Sequence, residues 1–273
     1  MKIISSAKEL SKLLQKQNKT RGYVPTMGAL HEGHIALIKE ARAQNEIVIV
    51  SIFVNPTQFL AGEDLDTYPR RDAADQKICE LAGVDYLFRP QANELYFDDE
   101  IKIVAPNVRG YILEGTTRPG HFSGVLRVVM KLLNIVQPTN AYFGRKDAQQ
   151  LHLIKLMKEH YFLPYTIVAV DTVRDSDGLA LSSRNGYLSK EDRKMALKIP
   201  QSLYSASKMV SRGIVDVQVI QKEMLAVLEP LEIGYVAILS RDFKVIEQVE
   251  LGNSIILVEA LVGGTRLLDN IWL

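Results

Sequence analysis

The chain has 273 residues, 47% of them apolar and 24% charged, with 33 basic side chains against 32 acidic ones for a formal charge of +1. That length can bury one large core or two modest ones, and so even a balance gives no support to a nucleic-acid or anionic-membrane surface. The single cysteine, Cys79, excludes an internal disulfide and a cysteine-based zinc site.

From the start, Met1–Leu14 is interrupted by Lys2, Lys8, Glu9 and Lys12, so it does not read as a signal peptide; Ser6 followed by Glu9 reads as a helix capping box. Arg21–Pro25 is predicted as a strand and Gly33–Ala43 as a helix, with Ile35, Leu37, Ile38 and Ala41 near helical spacing. Glu46–Val54 is almost continuously β-branched, the pattern of a strand covered on both faces. A helix at Asp72–Ala82 follows, with Cys79 as a small buried hydrophobe, and then a strand at Val84–Phe88. The next segments are a helix at Gly124–Val136, a short strand at Ala141–Phe143, a helix at Asp147–His160 and a strand at Tyr165–Val170. Alternation of this kind predicts a doubly wound α/β domain, a parallel sheet with helices on both faces.

After about Val173 the order changes. A polar loop, Arg174–Gly186, leads to helical stretches at Lys190–Ser211 and Asp216–Leu228, and then to strand-like runs at Gly234–Ser240, Ser254–Leu261 and Thr265–Leu268. Helices first and strands afterwards predict a smaller α+β domain with an antiparallel sheet. No run approaches the ~18 apolar residues that a membrane span needs, so a soluble protein of a reducing compartment is expected.

The most informative segment is Pro25-Thr26-Met27-Gly28-Ala29-Leu30-His31-Glu32-Gly33-His34. A strand runs into a glycine turn that opens a helix, and His31 and His34, three apart, share a face near its start. Unpaired N–H groups and the positive end of the helix dipole attract phosphate there. Gly28 permits close backbone approach, and Gly33 is expected to leave room for a base or ribose. Either histidine alone reads as a surface residue near an N-cap. The whole unit is the signature shared by nucleotidylyltransferases and class I aminoacyl-tRNA synthetases, and neither G-x-G-x-x-G nor a Walker A sequence competes with it. Beyond the second strand, Phe53-Val54-Asn55-Pro56-Thr57-Gln58-Phe59 places Asn55 and Gln58 where open α/β sheets bind ligands, although Asn-Pro also opens ordinary turns.

These two blocks, followed by Asp64–Arg70, Arg118–Val125, Phe143–Leu151, Asp177–Leu188 and Thr265–Asn270, resemble the pantothenate synthetase family in order and over essentially the full length. The resemblance implies a Rossmann-like ATP- and pantoate-binding domain over residues 1–173 and a C-terminal α+β lid over 174–273. It also implies a cytoplasmic homodimer that takes ATP with Mg²⁺, pantoate and β-alanine, with no nucleic-acid or membrane partner. Residue by residue, it implies that Met27, Gly28, Ala29, Leu30, His31, Glu32, Gly33 and His34 line the ATP site, with His34 catalytic and His31 beside it. Gln58 would contact pantoate and β-alanine, and Gln150 pantoate. Gly144, Arg145, Lys146 and Asp147 would lie against ATP, with Val173, Leu181, Ser182, Ser183 and Arg184 completing the nucleotide site.

The residues themselves agree with much of this. Lys146 and Asp147 follow a short strand and open a helix, with Gln150 one turn further along it. Ser182, Ser183 and Arg184 suit either a triphosphate clamp or a solvated linker. His121, between Gly120 and Phe122, reads equally as a site residue or as a loop histidine with a structural hydrogen bond and is assigned no role, while His152 and His160 read as surface or core. No carboxylate cage is visible, so Mg²⁺ is expected to ride on the phosphates. Two positions depart from the family: Arg145, often acidic or Gln there, and Arg127, usually a threonine. Two rival readings are a nucleotidylyltransferase that keeps the adenylate on its product and a non-catalytic nucleotide sensor. Release of AMP with the amide separates the first, and pantoate-dependent pyrophosphate release the second.

Overall fold

The computed structural model describes all 273 residues, which divide into two compact units: Met1–Arg145 with Gln150–Asp171, and Lys146–Gln149 with Thr172–Leu273.

The first unit contains β1 (Lys2–Ile4), α1 (Ala7–Gln15), β2 (Arg21–Thr26), α2 (Glu32–Gln44), β3 (Ile47–Ile52), α3 (Asp72–Leu81) and β4 (Tyr86–Phe88). It continues through two single-turn helices, α4 (Ala92–Leu95) and α5 (Glu114–Thr117), to α6 (His121–Val136), β5 (Asn140–Gly144), α7 (Ala148–His160) and β6 (Thr166–Val170). All strand pairs are parallel, in the order β1-β4-β3-β2-β5-β6. From β2 the chain therefore builds outward through β3 and β4 on one side and through β5 and β6 on the other. The gap beyond the carboxyl ends of β2 and β5 is the topological switch point, where such sheets bind ligands. Val24, Val48, Val50 and Leu87 pack against Leu37, Ile38, Ala41 and Cys79 of α2 and α3. Alternation turns Tyr23, Ile49 and Phe88 to the other face, and all three are fully buried. Two buried faces explain why the β3 segment reads as an uninterrupted apolar run.

Four local features differ from expectation. β1, three residues at the sheet edge with only Ile4 buried, has no sequence signature. The Ser6 side chain accepts from Glu9 N, but the reciprocal half of the box is absent because Glu9 pairs with Lys2. α6 starts three residues earlier than predicted, at His121, after Gly120 with φ +87°. Asn55 caps a 3-10 turn at Pro56–Gln58.

The second unit contains α8 (Lys190–Ala196), α9 (Lys198–Ser211), α10 (Val217–Leu228) and an antiparallel sheet β7-β8-β9 of Glu232–Ser240, Ser254–Val262 and Thr265–Trp272. Ile199, Leu203, Ala206, Ile220, Met224 and Leu228 face Ile238, Ile256, Val258 and Leu267 across its core. The single helix expected at Lys190–Ser211 is broken at Leu197. Pro200 has no N–H to donate back to Ala196, yet it fits the first turn of α9. The polar loop is more ordered than its composition implies: Leu179 and Ala180 are buried, and Ser183–Tyr187 form a 3-10 turn. No helix is long and apolar enough to cross a membrane.

Candidate active site

β2 ends at Thr26, and the turn behind it is held by a buried carboxylate. Asp75 of α3, 1% exposed, accepts from Ala29 N and Leu30 N at 2.8 Å each. Gly28 sits at φ +89°, and a Cβ there would lie 3.0 Å from both Asp75 Oδ2 and the Ile52 side chain. Backbone conformation and space both demand glycine. Ala29 also takes a positive φ, +50°, an unfavourable state for a residue with a Cβ that the two Asp75 bonds maintain.

The turn delivers His31 as the N-cap of α2. Gly33 N donates to His31 Nδ1 at 3.2 Å, and His31 N donates to His34 Nδ1 at 3.3 Å, a capping box made of two imidazoles. The ring centroids are 4.2 Å apart. An Nδ1 that accepts carries no proton, so each neutral ring holds its hydrogen on Nε2 and presents an N–H donor. Gly33 does not make room for a ligand as expected: a Cβ there would come within 2.9 Å of the His31 ring, so its space belongs to that imidazole.

Gln58 lies against this loop, with Nε2 3.0 Å from Met27 Sδ. Its Oε1 accepts from Asn55 Nδ2 at 3.0 Å. Asn55 is 1% exposed and fully engaged: Nδ2 also donates to Gly124 O, while Oδ1 accepts from Thr57 N, Thr57 Oγ1 and the Tyr96 hydroxyl. Asn55 therefore stands behind Gln58 as a support and has no capacity left for substrate, a correction to the sequence reading. The Gln58 carbonyl is held from the other side. Arg118, an obligate donor, meets His121 Nε2 at 2.9 Å, which leaves the proton on Nδ1 to be donated to Gln58 O at 2.7 Å. Glu63 accepts from Arg118 Nε and Nη2, and Arg118 and His121 are 5% and 7% exposed. His121 is the first residue of α6 and so does not lie in a loop, and both its ring nitrogens are engaged within the fold.

Arg127 pairs with Glu100, as does Lys131, and its guanidinium carbon lies 4.9 Å from the centroid of the Tyr96 ring. Burial, offset by the hydrogen bond to Thr57 and by Arg127, raises the Tyr96 hydroxyl above the usual phenol range. A cavity of about 670 Å³, lined by Ser5, Met27, Gly28, Phe53, Arg70 and Arg89 among others, opens on the β1–β4 side of the loop. Gln150 lies half-buried in α7 and His152 is buried, whereas His160 is exposed. Gly144 ends β5, and Arg145 turns to Asp171 at 3.2 Å on the surface.

In the second unit, Lys146 Nζ is 3.5 Å from Asp147 Oδ1, with its side chain 19% exposed. The Ser182 hydroxyl accepts from Arg184 N and caps the 3-10 turn, and Leu181 N donates to Val173 O.

The family described as pantoate-beta-alanine ligase matches residues 2–272. This chain belongs to that family. Pantothenate synthetases of Sulfurimonas denitrificans and Aliarcobacter butzleri are 61% and 55% identical to it, each over 100% of both chains. The crystal structure of pantothenate synthetase from Thermus thermophilus is similar at a TM-score of 0.95 and 38% identity, covering 99% of each chain. The pantoate-beta-alanine ligase of Francisella tularensis, crystallised with beta-gamma ATP and beta-alanine, is similar at a TM-score of 0.83 and 36% identity, covering 100% of this chain and 97% of that one. Within this ligase family the match is therefore end to end, and the doubly wound sheet with a small antiparallel domain is the expected architecture. Sequence reasoning gave no role to the residues that hold these loops: Asp75, Tyr96, Glu63 and Arg118, the last noted only as part of a family block. Asp75 lies in the helix predicted at Asp72–Ala82, and its only signal was an acidic residue one turn before the buried Cys79.

Proposed function

We propose that this chain joins pantoate to β-alanine through a pantoyl adenylate, converting ATP to AMP and pyrophosphate. A carboxylate oxygen of pantoate attacks the α-phosphorus, the bond to the bridging oxygen of the β-phosphate breaks, and pyrophosphate leaves. The amine of β-alanine then attacks the acyl carbon, the bond to AMP breaks, and the ammonium proton passes to solvent. The reading is carried by the contact between Gln58 and Met27, which joins an amide suited to a polar acid to a turn suited to phosphate, in a chain that matches the ligase family from residue 2 to 272.

His34 and His31 donate from Nε2 to phosphate oxygens as charge builds on them, and Lys146 neutralises the leaving pyrophosphate. Met27–His34, Gly144–Asp147, Val173 and Leu181–Arg184 line the nucleotide, while Gln58 and Gln150 orient pantoate. Mg²⁺, which keeps waters and substrate phosphates as ligands, would enter on the phosphates of the ATP substrate and neutralise part of their charge. The first unit carries the Met27–His34 turn and the pantoate contacts, the second, which carries Lys146 and Leu181–Arg184, acts as the lid, and the family resemblance supports a cytoplasmic homodimer. The test is an ATP-to-AMP assay with each substrate omitted in turn. Pantoate alone should support pyrophosphate–ATP exchange, and AMP should appear in step with amide only when β-alanine is added. Turnover indifferent to pantoate, or an adenylate retained on the final product, would overturn the reading.

A further inference from the structure

The end of β9 carries two polar residues, Asp269 and Asn270, in an otherwise apolar run, and each is 3% exposed. A carboxylate and an amide so deeply buried need partners. Asn270 Nδ2 donates to Lys146 O at 2.7 Å. Arg174 grips Asp269 with both arms, Nη1 to Oδ2 at 2.6 Å and Nη2 to Oδ1 at 2.9 Å, and its Nη2 also reaches Asn270 O. Asn270 N closes the arrangement by donating to Asp269 Oδ1 at 2.7 Å. Arg174 in turn anchors a hairpin: it bridges Ala180, its Nη1 donates to Gly178 O at 3.1 Å, and Leu181 N donates to Val173 O. That hairpin leads directly into Leu181–Arg184.

We infer that Asp269 and Asn270 are positioning residues for ATP. Asn270 fixes the peptide of Lys146, and Asp269, through Arg174, fixes the hairpin that presents Ser182–Arg184. The inference rests on the nucleotide-binding reading of those segments. Sheet packing alone does not call for this pair, because Leu267 and Ile271 already supply the contacts of β9 with the core. What the pair adds is direction. A two-armed guanidinium–carboxylate contact and an amide-to-carbonyl bond set orientation as well as distance, and two segments far apart in sequence are thereby aimed from one dipeptide. Preset donors spare the reorganisation that a floppy site would need when substrate arrives.

The experiment is pantoate-dependent pyrophosphate–ATP exchange with Asn270→Asp and Arg174→Lys. Asn270→Asp keeps the shape but turns an oxygen on the Lys146 carbonyl in place of a donor. It should raise the KM for ATP about 10-fold while the KM for pantoate stays within about 2-fold. Arg174→Lys keeps the charge but loses the fork, and should raise the KM for ATP about 3-fold to 10-fold. Thermal unfolding of each variant reports the structural share. A lowered unfolding midpoint with both KM values unmoved, or moved equally, would overturn the inference. Should Asn270→Asp fail to fold, the partly exposed Arg174→Lys decides alone. A wild-type protein without pantoate-dependent exchange would instead sink the ligase reading.

Discussion

At the scale of single residues, each imidazole at the mouth of α2 caps the helix, and the proposed reaction gives it a second task. Nδ1 of His34 accepts the N–H of His31, which makes the ring the reciprocal half of the capping box and leaves the proton of the neutral ring on Nε2. His34→Ala should therefore lower pantoate-dependent pyrophosphate–ATP exchange by about 10²–10³-fold, the effect of removing one transition-state donor. It should also lose about 1 kcal/mol of stability as a missing cap, measurable by urea unfolding. Wild-type exchange in that variant would remove His34 from the chemistry. Asp75 presents the complementary case, a residue remote from substrate that shapes the loop. Asp75→Asn sets an NH₂ against one of two backbone donors and should cost about 1–3 kcal/mol. If urea unfolding instead gave a wild-type midpoint, the turn would not depend on that carboxylate.

Among the elements, α6 decides where Gln58 lies. Gly124 lets the helix press on the 3-10 turn: a Cβ there would fall 2.2 Å from Thr57 O, a backbone atom with little freedom to move. Gly124→Ala should destabilise by about 1–3 kcal/mol and raise the KM for pantoate more than that for ATP, since Gln58 follows Thr57 directly. Equal KM values in the variant and the wild type would show that this packing does not reach the amide. The departure at Arg127 finds its explanation on the same helix. Arg127 and Lys131 pair with Glu100 around the Tyr96 ring, so the extra charge has a partner and braces the hydroxyl that holds Asn55. The break between α8 and α9 was legible in principle, since Pro200 announces it. β1 was not, because three residues with a single buried side chain carry no period.

Over the whole molecule, burial sets an alkaline limit. Desolvation pushes the Cys79 thiol up to about 12, with Asp75 and Glu80 adding to the shift, and raises the hydroxyls of Tyr23, Tyr142 and Tyr165. In the folded state these groups stay protonated while the unfolded chain ionises, so the unfolded state binds fewer protons and stability falls as pH rises. For Cys79 the window runs from its ordinary value of 9.0 to about 12. The urea midpoint should therefore fall steadily above about pH 9, and Cys79→Ala should remove part of the slope. A flat midpoint up to about pH 11 would contradict this account. For the same reason Cys79 should resist thiol reagents in the native protein at neutral pH and react on unfolding.

The sequence by itself determined the alternation of strands and helices, the glycine turn and paired histidines before α2 and the family, because periodicity, glycine and histidine spacing are local properties. Tertiary structure alone decided which polar residues are spent on holding the loops in place. Asn55 looked like a ligand contact and is a support, Asp75 carried no assigned role, and Arg118 and the Asp269–Asn270 pair stood only as members of family blocks. Their roles come from burial and from partners tens of residues away, and a buried polar group takes its meaning from what it faces.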